Sequence, residues 1–213
     1  MIDTDFAAGL AFVHIPKNAG TTLVRVIADH KLPIRVSDHS YPVRLAQQEI
    51  VVLRCPMGRF VSAFQYGRKR WPNPVNAQFA NADELARSAA DPEHPKHLTA
   101  WFELGNRPGD FLLRNGKPTP CHTVAGRHIA LNWVYEPQSS WLVNQPMHVL
   151  RHRHLSQDFA GLLESAELGP AVALPRLNQG DADGEDLSLR AISFIEQVYA
   201  DDFTYLRLHG IEA

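Results

Sequence analysis

The chain has 213 residues, of which 45% are hydrophobic and 21% are charged, and its formal net charge is −2. This length and composition are those of a folded globular protein near the upper size limit of one domain. Without a basic excess there is no electrostatic reason to expect a nucleic-acid partner, and no apolar run reaches the ~20 residues that span a bilayer. The early residues include two acids and no basic stretch, and the two cysteines, Cys55 and Cys121, cannot form a disulfide framework. The sequence therefore predicts a cytoplasmic protein.

The first stretch that predicts a function runs from residue 11 to residue 25. Residues 11–15 form a β-branched apolar run of strand length, and apolar residues then recur at helical spacing as far as Asp29. Between them lies a polar loop, Lys17-Asn18-Ala19-Gly20-Thr21-Thr22. A helix N-terminus has unpaired N–H groups and the positive end of the helix dipole, so this unit suits a phosphate. We predict a phosphate-binding loop in which Gly20 lets the main chain approach the anion; the alternative is a turn that binds nothing.

A second polar pair follows the most apolar strand of the sequence, EIVVL at residues 49–53. Such a run is typical of a parallel strand covered on both faces. Arg54 leaves this strand, and Ser62 lies eight residues on, in the second turn of the next predicted helix. A guanidinium offers a rigid fork of donors and a serine offers a short hydroxyl, so the two can meet over one phosphate. The alternative is that Arg54 and Arg59 form surface ion pairs.

Strands separated by helices predict an α/β fold with a mainly parallel sheet flanked by helices. Within that fold, the two motifs resemble the 5′-phosphosulfate loop and the 3′-phosphate motif of sulfotransferases, which use 3′-phosphoadenosine-5′-phosphosulfate (PAPS). The nearest likeness is to the carbohydrate-type group (sulfotransferase family 2-like), and it covers most of the chain. It implies a P-loop-like core in one sulfotransferase domain over residues 1–213, with an acceptor-side insertion, helical or irregular, at about 71–146. The ordinary triphosphate pattern G-x-x-x-x-G-K-[ST] is absent, because the lysine precedes the glycine by three residues.

The resemblance implies a role for each polar residue of the two motifs. Lys17 would neutralise charge on the bridging oxygen as the 5′-phosphate leaves. Asn18, Gly20, Thr21 and Thr22 would hold that phosphate. Arg54 and Ser62 would hold the 3′-phosphate of the nucleotide, and no metal is required.

Three softer likenesses extend to the C-terminus. Asn178 lies in a loop that resembles the one closing over the nucleotide, and it is predicted to contact the cofactor. Gln138 and Trp141 lie in a segment that resembles one beside the acceptor cleft, so they are predicted to bind the acceptor, a carbohydrate or other hydroxyl-bearing molecule. Residues 199–206 resemble the C-terminal helix signature of the family, which is structural. Two positions depart from the family pattern: Cys55 replaces a frequent acid, and Arg153 replaces a usual glutamate.

The base is predicted from the second strand. A hydroxyl acceptor must lose its proton, and histidine is the side chain with an unperturbed pKa nearest neutrality. His39 follows the strand predicted at residues 34–36, so we expect it at the same sheet edge as Lys17; in the family that this chain resembles, a histidine there often serves as base. Asp38 is the alternative base, and a solvated turn is the alternative without function. His14, which alternates with apolar strand residues, is predicted to pack under the loop.

Two rival functions stay open from the sequence. The first is a P-loop kinase-like, ATP-dependent transferase, which the missing GK[ST] pattern disfavours. The second is a catalytically silent nucleotide- or glycan-binding domain, against which the presence of Lys17, Arg54 and Ser62 weighs. The sequence predicts no oligomeric state.

Overall fold

A computed structural model of the protein describes residues 9–37, 48–70, 74–105, 121–124, 127–142, 148–175 and 186–211. The chain divides into two compact units, of which unit 1 is Met1–Arg54 with Gln138–Asn178 and unit 2 is Cys55–Pro137 with Gln179–Ala213. The prediction of one domain with an acceptor-side insertion stays a prediction. None of the helices in these ranges is long and apolar enough to cross a membrane, and the predicted cytoplasmic location is untested.

The described helices and strands are, in chain order, β1 (Leu10–Val13), α1 (Gly20–Asp29), β2 (Ile34–Ser37), β3 (Gln48–Leu53), α2 (Pro56–Arg70), α3 (Ala82–Ala90), α4 (His97–Leu104), β4 (Cys121–Val124), β5 (Arg127–Ala130), β6 (His148–Arg151), α5 (Leu155–Ser165), α6 (Leu189–Val198) and α7 (Ala200–Leu208). Short three-ten turns lie at Asn76–Gln78, Gln138–Trp141 and His152–His154.

Unit 1 contains a four-stranded sheet in the order β2-β1-β3-β6, and every neighbouring pair in it is parallel. Its core packs strand residues against α1 and α5 and consists mainly of Phe12, Leu23, Val26, Ile27, Ile50, Val52, Leu150, Phe159 and Leu163. The residues of α1 in this core have the helical spacing that the sequence shows. The predicted α/β fold, with a mainly parallel sheet flanked by helices, is confirmed.

The order of the strands in this sheet reverses at one point, which lies at β1. From β1 the chain adds β2 on one side and then β3 on the other, so the order of connection reverses at β1. In open parallel sheets, ligands bind outside the carboxyl ends of the strands at such a reversal. The loop that contains Lys17 leaves the carboxyl end of β1, and Arg54 leaves the carboxyl end of the adjacent β3.

Unit 2 consists of helices α2, α3, α4, α6 and α7 and the antiparallel pair β4–β5 among its described elements. Its core combines aliphatic and aromatic side chains, and Trp101 and Phe194 meet edge to face at 5.7 Å between ring centroids. Such pairs add about 0.5–1.5 kcal/mol beyond their buried area.

Among the described residues of unit 2, three charged residues are fully buried. Arg59 is fully buried, with its guanidinium carbon 5.7 Å from the centroid of the Tyr199 ring, and Glu136 and Asp202 are fully buried as well. Burial raises the pKa of Tyr199, whose hydroxyl donates to Tyr135 O at 2.9 Å. The alternative that Arg59 forms a surface ion pair is therefore wrong.

The sequence also predicts three local features: Ser156 as the N-cap of a helix, a pairing of residues 111–114 with residues 119–124, and a C-terminal helix broken or kinked near Asp201-Asp202. The first is wrong, the second lies mostly outside the described residues, and the third is confirmed. Ser156 is not the N-cap of α5, because the three-ten turn at His152–His154 leads directly into the helix and makes His154 the N-cap. The strand β5 was not predicted; it pairs with β4 across residues 125–126, whereas the predicted partner at 111–114 lies outside the described residues. The C-terminal helix is interrupted at Tyr199, just before the predicted Asp201-Asp202.

A carboxylate connects α3 to the start of α6 within unit 2. Asp83 Oδ1 accepts hydrogen bonds from Ser188 N at 2.8 Å and Ser188 Oγ at 2.6 Å, while Arg87 Nε donates to Asp83 Oδ2 at 2.6 Å. The same Ser188 Oγ accepts from Ala191 N and so is the N-cap of α6. Burial alone would raise the pKa of Asp83, but the Ser188 bonds and the Arg87 charge together lower it below 3.8.

We expect Asp83→Asn to lower the free energy of unfolding by about 1–2 kcal/mol at neutral pH, because a charged group that accepts three hydrogen bonds becomes a neutral one. A carboxylate with a lowered pKa stabilises the folded state above its ordinary pKa of 3.8 and loses that effect as pH falls through the folded-state pKa. The difference between wild type and variant should therefore shrink below about pH 4 in urea denaturation. Glu93→Gln, at an exposed loop residue, is the control; a difference independent of pH would contradict this account.

Candidate functional site

The loop between β1 and α1 has a strained backbone. Lys17 has φ 67° and Ala19 has φ 58°, both in the left-handed region that non-glycine residues avoid, whereas Asn18 between them does not. The other described non-glycine residues with positive φ, Lys31 and Glu167, directly follow helices α1 and α5, where this conformation is common. Alternating hand along a short loop turns successive N–H groups toward one side, and such concave arrangements bind anions. Strain of this kind persists where the surrounding structure holds it, and it is concentrated at binding sites.

The first turn of α1 adds further donors to this loop. Thr22 N donates to Ala19 O at 3.0 Å, and Leu23 N lies 3.4 Å from the same oxygen. The N–H groups of Gly20 and Thr21 precede these in the chain and belong to the helix end that intrahelical bonds leave open. Helix α1 has neither a side-chain cap nor an acidic residue in its first turn, so its own sequence does not compensate the positive end of its dipole. Of the two predicted hydroxyl ligands, Thr21 is exposed and Thr22 is buried.

Gly20 is required here by a side chain of the protein. A Cβ at this position would lie 1.8 Å from Cδ2 and 2.0 Å from Nε2 of His14, so no larger residue can stand there unless the imidazole moves. The ring of His14 stacks on Phe12 at 5.8 Å, and His14 N donates to Ser37 Oγ at 3.0 Å. His14 thus packs beneath the loop, as predicted. The predicted reason for Gly20, close approach of an anion, stays a prediction beside this one.

Asn18 holds the loop through a buried side chain. Its exposed fraction is 1%, and its Nδ2 donates to Val52 O at 2.7 Å and to Gln138 Oε1 at 2.8 Å. The register of the sheet accounts for the first bond. β1 ends at Val13, which pairs with Val51, so Val52 extends one residue past the end of β1, on the side where the loop containing Asn18 leaves the sheet. Both amide hydrogens are used within the protein. The prediction that Asn18 contacts the cofactor is untested, and the structure shows it fastening the loop to β3.

Gln138 is the second buried amide of the site. Its exposed fraction is 1%; its Oε1 accepts from Asn18 Nδ2 and from Arg54 N at 3.2 Å, and its Nε2 donates to Arg54 O at 2.8 Å. We call the side chains of Asn18 and Gln138, with their backbone partners Val52 and Arg54, the amide network. Nothing in the sequence indicated it, since Gln138 is 120 residues from Asn18 and 84 from Arg54.

Arg54 reaches the strained loop directly. Its Nη1 donates to Lys17 O at 3.2 Å, so the guanidinium lies beside the backbone of the residue predicted to act on the 5′-phosphate. The amide network fixes the backbone of Arg54, and this bond fixes the direction of its side chain. The structure therefore brings Lys17, Asn18, Gly20 and Arg54 together at one end of the sheet in unit 1.

The other predicted site residues fall in three places. Ser62 is half-buried and belongs to unit 2. It lies in the second turn of α2, as predicted. Trp141 is buried in the same three-ten turn as Gln138, with an exposed fraction of 1%, and its predicted contact with an acceptor is untested. Asp38, His39 and Asn178 lie outside the described residues. Within the described ranges no cluster of three or more metal-ligating side chains occurs.

We expect Gly20→Ala to lower the free energy of unfolding by about 1–3 kcal/mol, because the added methyl overlaps the imidazole of His14. In the His14→Ala background the same change should be nearly neutral. The control is Gly161→Ala in α5, where a Cβ would meet nothing within 4 Å and where alanine should stabilise the helix by about 0.5–1 kcal/mol. Chemical denaturation of the four variants measures this, and an equal cost of Gly20→Ala with and without His14 would show that the ring is not the cause.

No family model matches this chain, and neither a curated protein nor a solved structure is found to match it. Function must therefore be argued from the residues themselves: a strained loop at a helix N-terminus, a lysine within it, and an arginine bonded to its backbone.

Proposed function

We propose that the chain is a sulfotransferase that moves a sulfuryl group from PAPS to a hydroxyl of a carbohydrate or glycolipid. The observation that carries the proposal is the hydrogen bond from Arg54 Nη1 to Lys17 O. It brings the guanidinium proposed for the 3′-phosphate next to the loop proposed for the 5′-phosphate. Because both phosphates of the nucleotide are attached to one ribose, a protein that binds them together needs its two phosphate-binding groups close to one another.

In the proposed reaction the acceptor oxygen attacks sulfur in line with the bond from sulfur to the bridging oxygen. A new S–O bond forms while the bridging S–O bond breaks, and the nucleotide bisphosphate leaves with the electron pair. Lys17 stabilises the charge that appears on the bridging oxygen, and the N–H groups of Gly20 and Thr21 hold the leaving phosphate. The acceptor proton passes to a base, for which we propose His39, with Asp38 as the alternative.

The end of β3 supports this proposal over the kinase-like alternative. Sites that bind a magnesium–triphosphate complex commonly have a carboxylate near a strand beside the phosphate loop, where it helps to hold the metal. Here β3 adjoins β1 and leads into Arg54, a cation, which would repel Mg²⁺ and attract a second phosphate. The silent-domain alternative has no such observation in its favour; it predicts nucleotide binding without transfer.

The donor can be identified without knowing the acceptor. We expect 3′-phosphoadenosine-5′-phosphate (PAP) to stabilise the fold by about 2.7 kcal/mol at 100 times its dissociation constant, with EDTA present. ATP with magnesium should stabilise the fold far less. It lacks the 3′-phosphate that Arg54 is proposed to bind, and no metal-binding residue is proposed in the site. Thermal-shift titrations with both nucleotides measure this. A larger stabilisation by magnesium-ATP would replace the sulfotransferase proposal with the kinase-like one.

Lys17 and Arg54 should affect different steps. Arg54→Ala should weaken PAP binding, since the 3′-phosphate has the same charge in ground and transition states. Lys17→Met should leave PAPS binding nearly unchanged, weaken the binding of PAP, in which the bridging oxygen is already charged, and lower the rate of sulfuryl transfer ~10²-fold or more, because the charge that Lys17 stabilises appears only as the bond breaks.

Calorimetry with PAPS and with PAP, and transfer from labelled PAPS to a panel of glycans, measure the two effects. Lys31→Met is the matched control, since Lys31 also has a positive φ but follows the end of α1. Unchanged transfer in Lys17→Met would remove the role given to Lys17. PAP binding without transfer to any glycan or to water would favour the silent domain.

A further inference from the structure

We propose that Gln138 is a positioning residue for Arg54, rather than a ligand of the acceptor. This inference rests on the proposed function, because it assigns to Gln138 the task of holding Arg54 where the 3′-phosphate of the nucleotide binds. Its side chain has an exposed fraction of 1% and is bonded at both ends of its amide, so it presents no surface to a sugar.

The contact between Gln138 and Arg54 imitates the pairing of strands. Gln138 Oε1 accepts from Arg54 N at 3.2 Å and Gln138 Nε2 donates to Arg54 O at 2.8 Å, so one side chain binds both backbone groups of one residue. The register of β3 with β6 runs as far as Leu53 and Arg151, and Arg54 is the next residue. The amide thus extends the ordered backbone of β3 by one residue, to the residue that is proposed to bind phosphate.

The hydrogen-bonding partners determine the orientation of both amides. Arg54 N can only donate and Arg54 O can only accept, which fixes Oε1 and Nε2 of Gln138. Asn18 must then direct Nδ2 to Gln138 Oε1, and the same nitrogen finds a second acceptor in Val52 O. Because each partner specifies the next, a change at Gln138 removes the constraint on Arg54 while leaving Asn18 bonded to Val52.

The consequence for binding is specific to one phosphate. Arg54 has its backbone fixed by Gln138 and its Nη1 bonded to Lys17 O, so its guanidinium is held in place before any ligand arrives. A guanidinium fixed in this way loses little side-chain freedom on binding, which favours affinity. Without Gln138 the backbone of Arg54 can rotate, and the contribution of the 3′-phosphate to affinity should fall while that of the 5′-phosphate changes little.

Gln138→Met tests the inference, because methionine has a similar volume and cannot form any of the three bonds. The measured quantity is the ratio of the dissociation constant of adenosine 5′-monophosphate to that of PAP, which reports the 3′-phosphate alone. We expect Gln138→Met to lower this ratio about tenfold, the loss that corresponds to ~1.4 kcal/mol, with less than a twofold change for the monophosphate. In the Arg54→Ala background, Gln138→Met should change the ratio no further.

Gln157→Met, at an exposed residue of α5, is the matched control and should leave the ratio unchanged. If Gln138 merely supported the fold, its loss would weaken both nucleotides equally and the ratio would stay the same, which would overturn the inference. A wild-type protein that does not prefer PAP over the monophosphate would overturn the proposed function and this inference with it.

Amide hydrogen exchange on the wild-type protein gives a second readout should Gln138→Met fail to fold. The backbone N–H of Arg54 and both side-chain amide hydrogens of Asn18 should exchange slowly, since each has a fixed acceptor. Exchange of the Arg54 amide at the rate of an exposed loop residue would show that Gln138 does not hold it.

Discussion

The candidate site depends on one buried carboxamide. Asn18 has almost no contact with solvent, and an amide in that position is stable only if its hydrogens find acceptors. The Asn18 amide donates to Gln138 Oε1 and to Val52 O, which lies just beyond the last residue that pairs with β1. These two bonds hold the residue between Lys17 and Ala19, both of which have the left-handed backbone. The cost of that conformation, of order 1–3 kcal/mol for each residue, is offset by bonds of this kind.

The same contacts are the basis for proposing that this strand–loop–helix unit is a binding site. Under the proposed function, anion binding accounts for the left-handed lysine and alanine residues, for the arginine bonded to the loop backbone and for the helix start without a cap or an acid. Together these features concentrate positive potential at the carboxyl end of two adjacent parallel strands. Sulfuryl transfer, like phosphoryl transfer, asks the protein mainly for positioning and charge stabilisation. The proposed site would suit that task, because the guanidinium of Arg54 is held before a ligand binds.

The sequence predicted the parts of this structure that depend on local pattern. The end of α1 at Asp29, the strand β3 and the helix containing Ser62 follow from hydrophobic periodicity, which reflects burial within a few turns. The candidate loop was found because lysine, glycine and hydroxyls lie together in the chain. What the sequence could not show are contacts between distant residues. Gln138 was predicted to bind the acceptor. Its bonds to Arg54 and Asn18 span 84 and 120 positions of the sequence, so they could be seen only in the folded chain.

Two further contacts could not be predicted in detail. Gly20 was predicted from the approach of an anion, which stays a prediction, and the structure adds a second reason, the ring of His14 where a Cβ would stand. Arg59 was assigned to the surface as the alternative to phosphate binding, yet it is buried beside Tyr199. Tyr199 is distant from Arg59 in the sequence, so no local pattern reveals their contact; His14 was predicted beneath the loop, but its overlap with a Cβ at position 20 was not. The prediction that Ser156 is a helix N-cap was wrong for a different reason. The three-ten turn at His152–His154 precedes Ser156 and leads directly into α5, so the helix begins before that residue.

The central claim is that one nucleotide binds with its 5′-phosphate at the Lys17 loop and its 3′-phosphate at Arg54. A crystal structure of the protein with PAP tests it most directly. The account predicts 5′-phosphate oxygens within about 3 Å of the N–H groups of Gly20 and Thr21, and 3′-phosphate oxygens at the same distance from the Arg54 guanidinium. A nucleotide bound elsewhere, or bound with the two phosphates exchanged, would contradict the account.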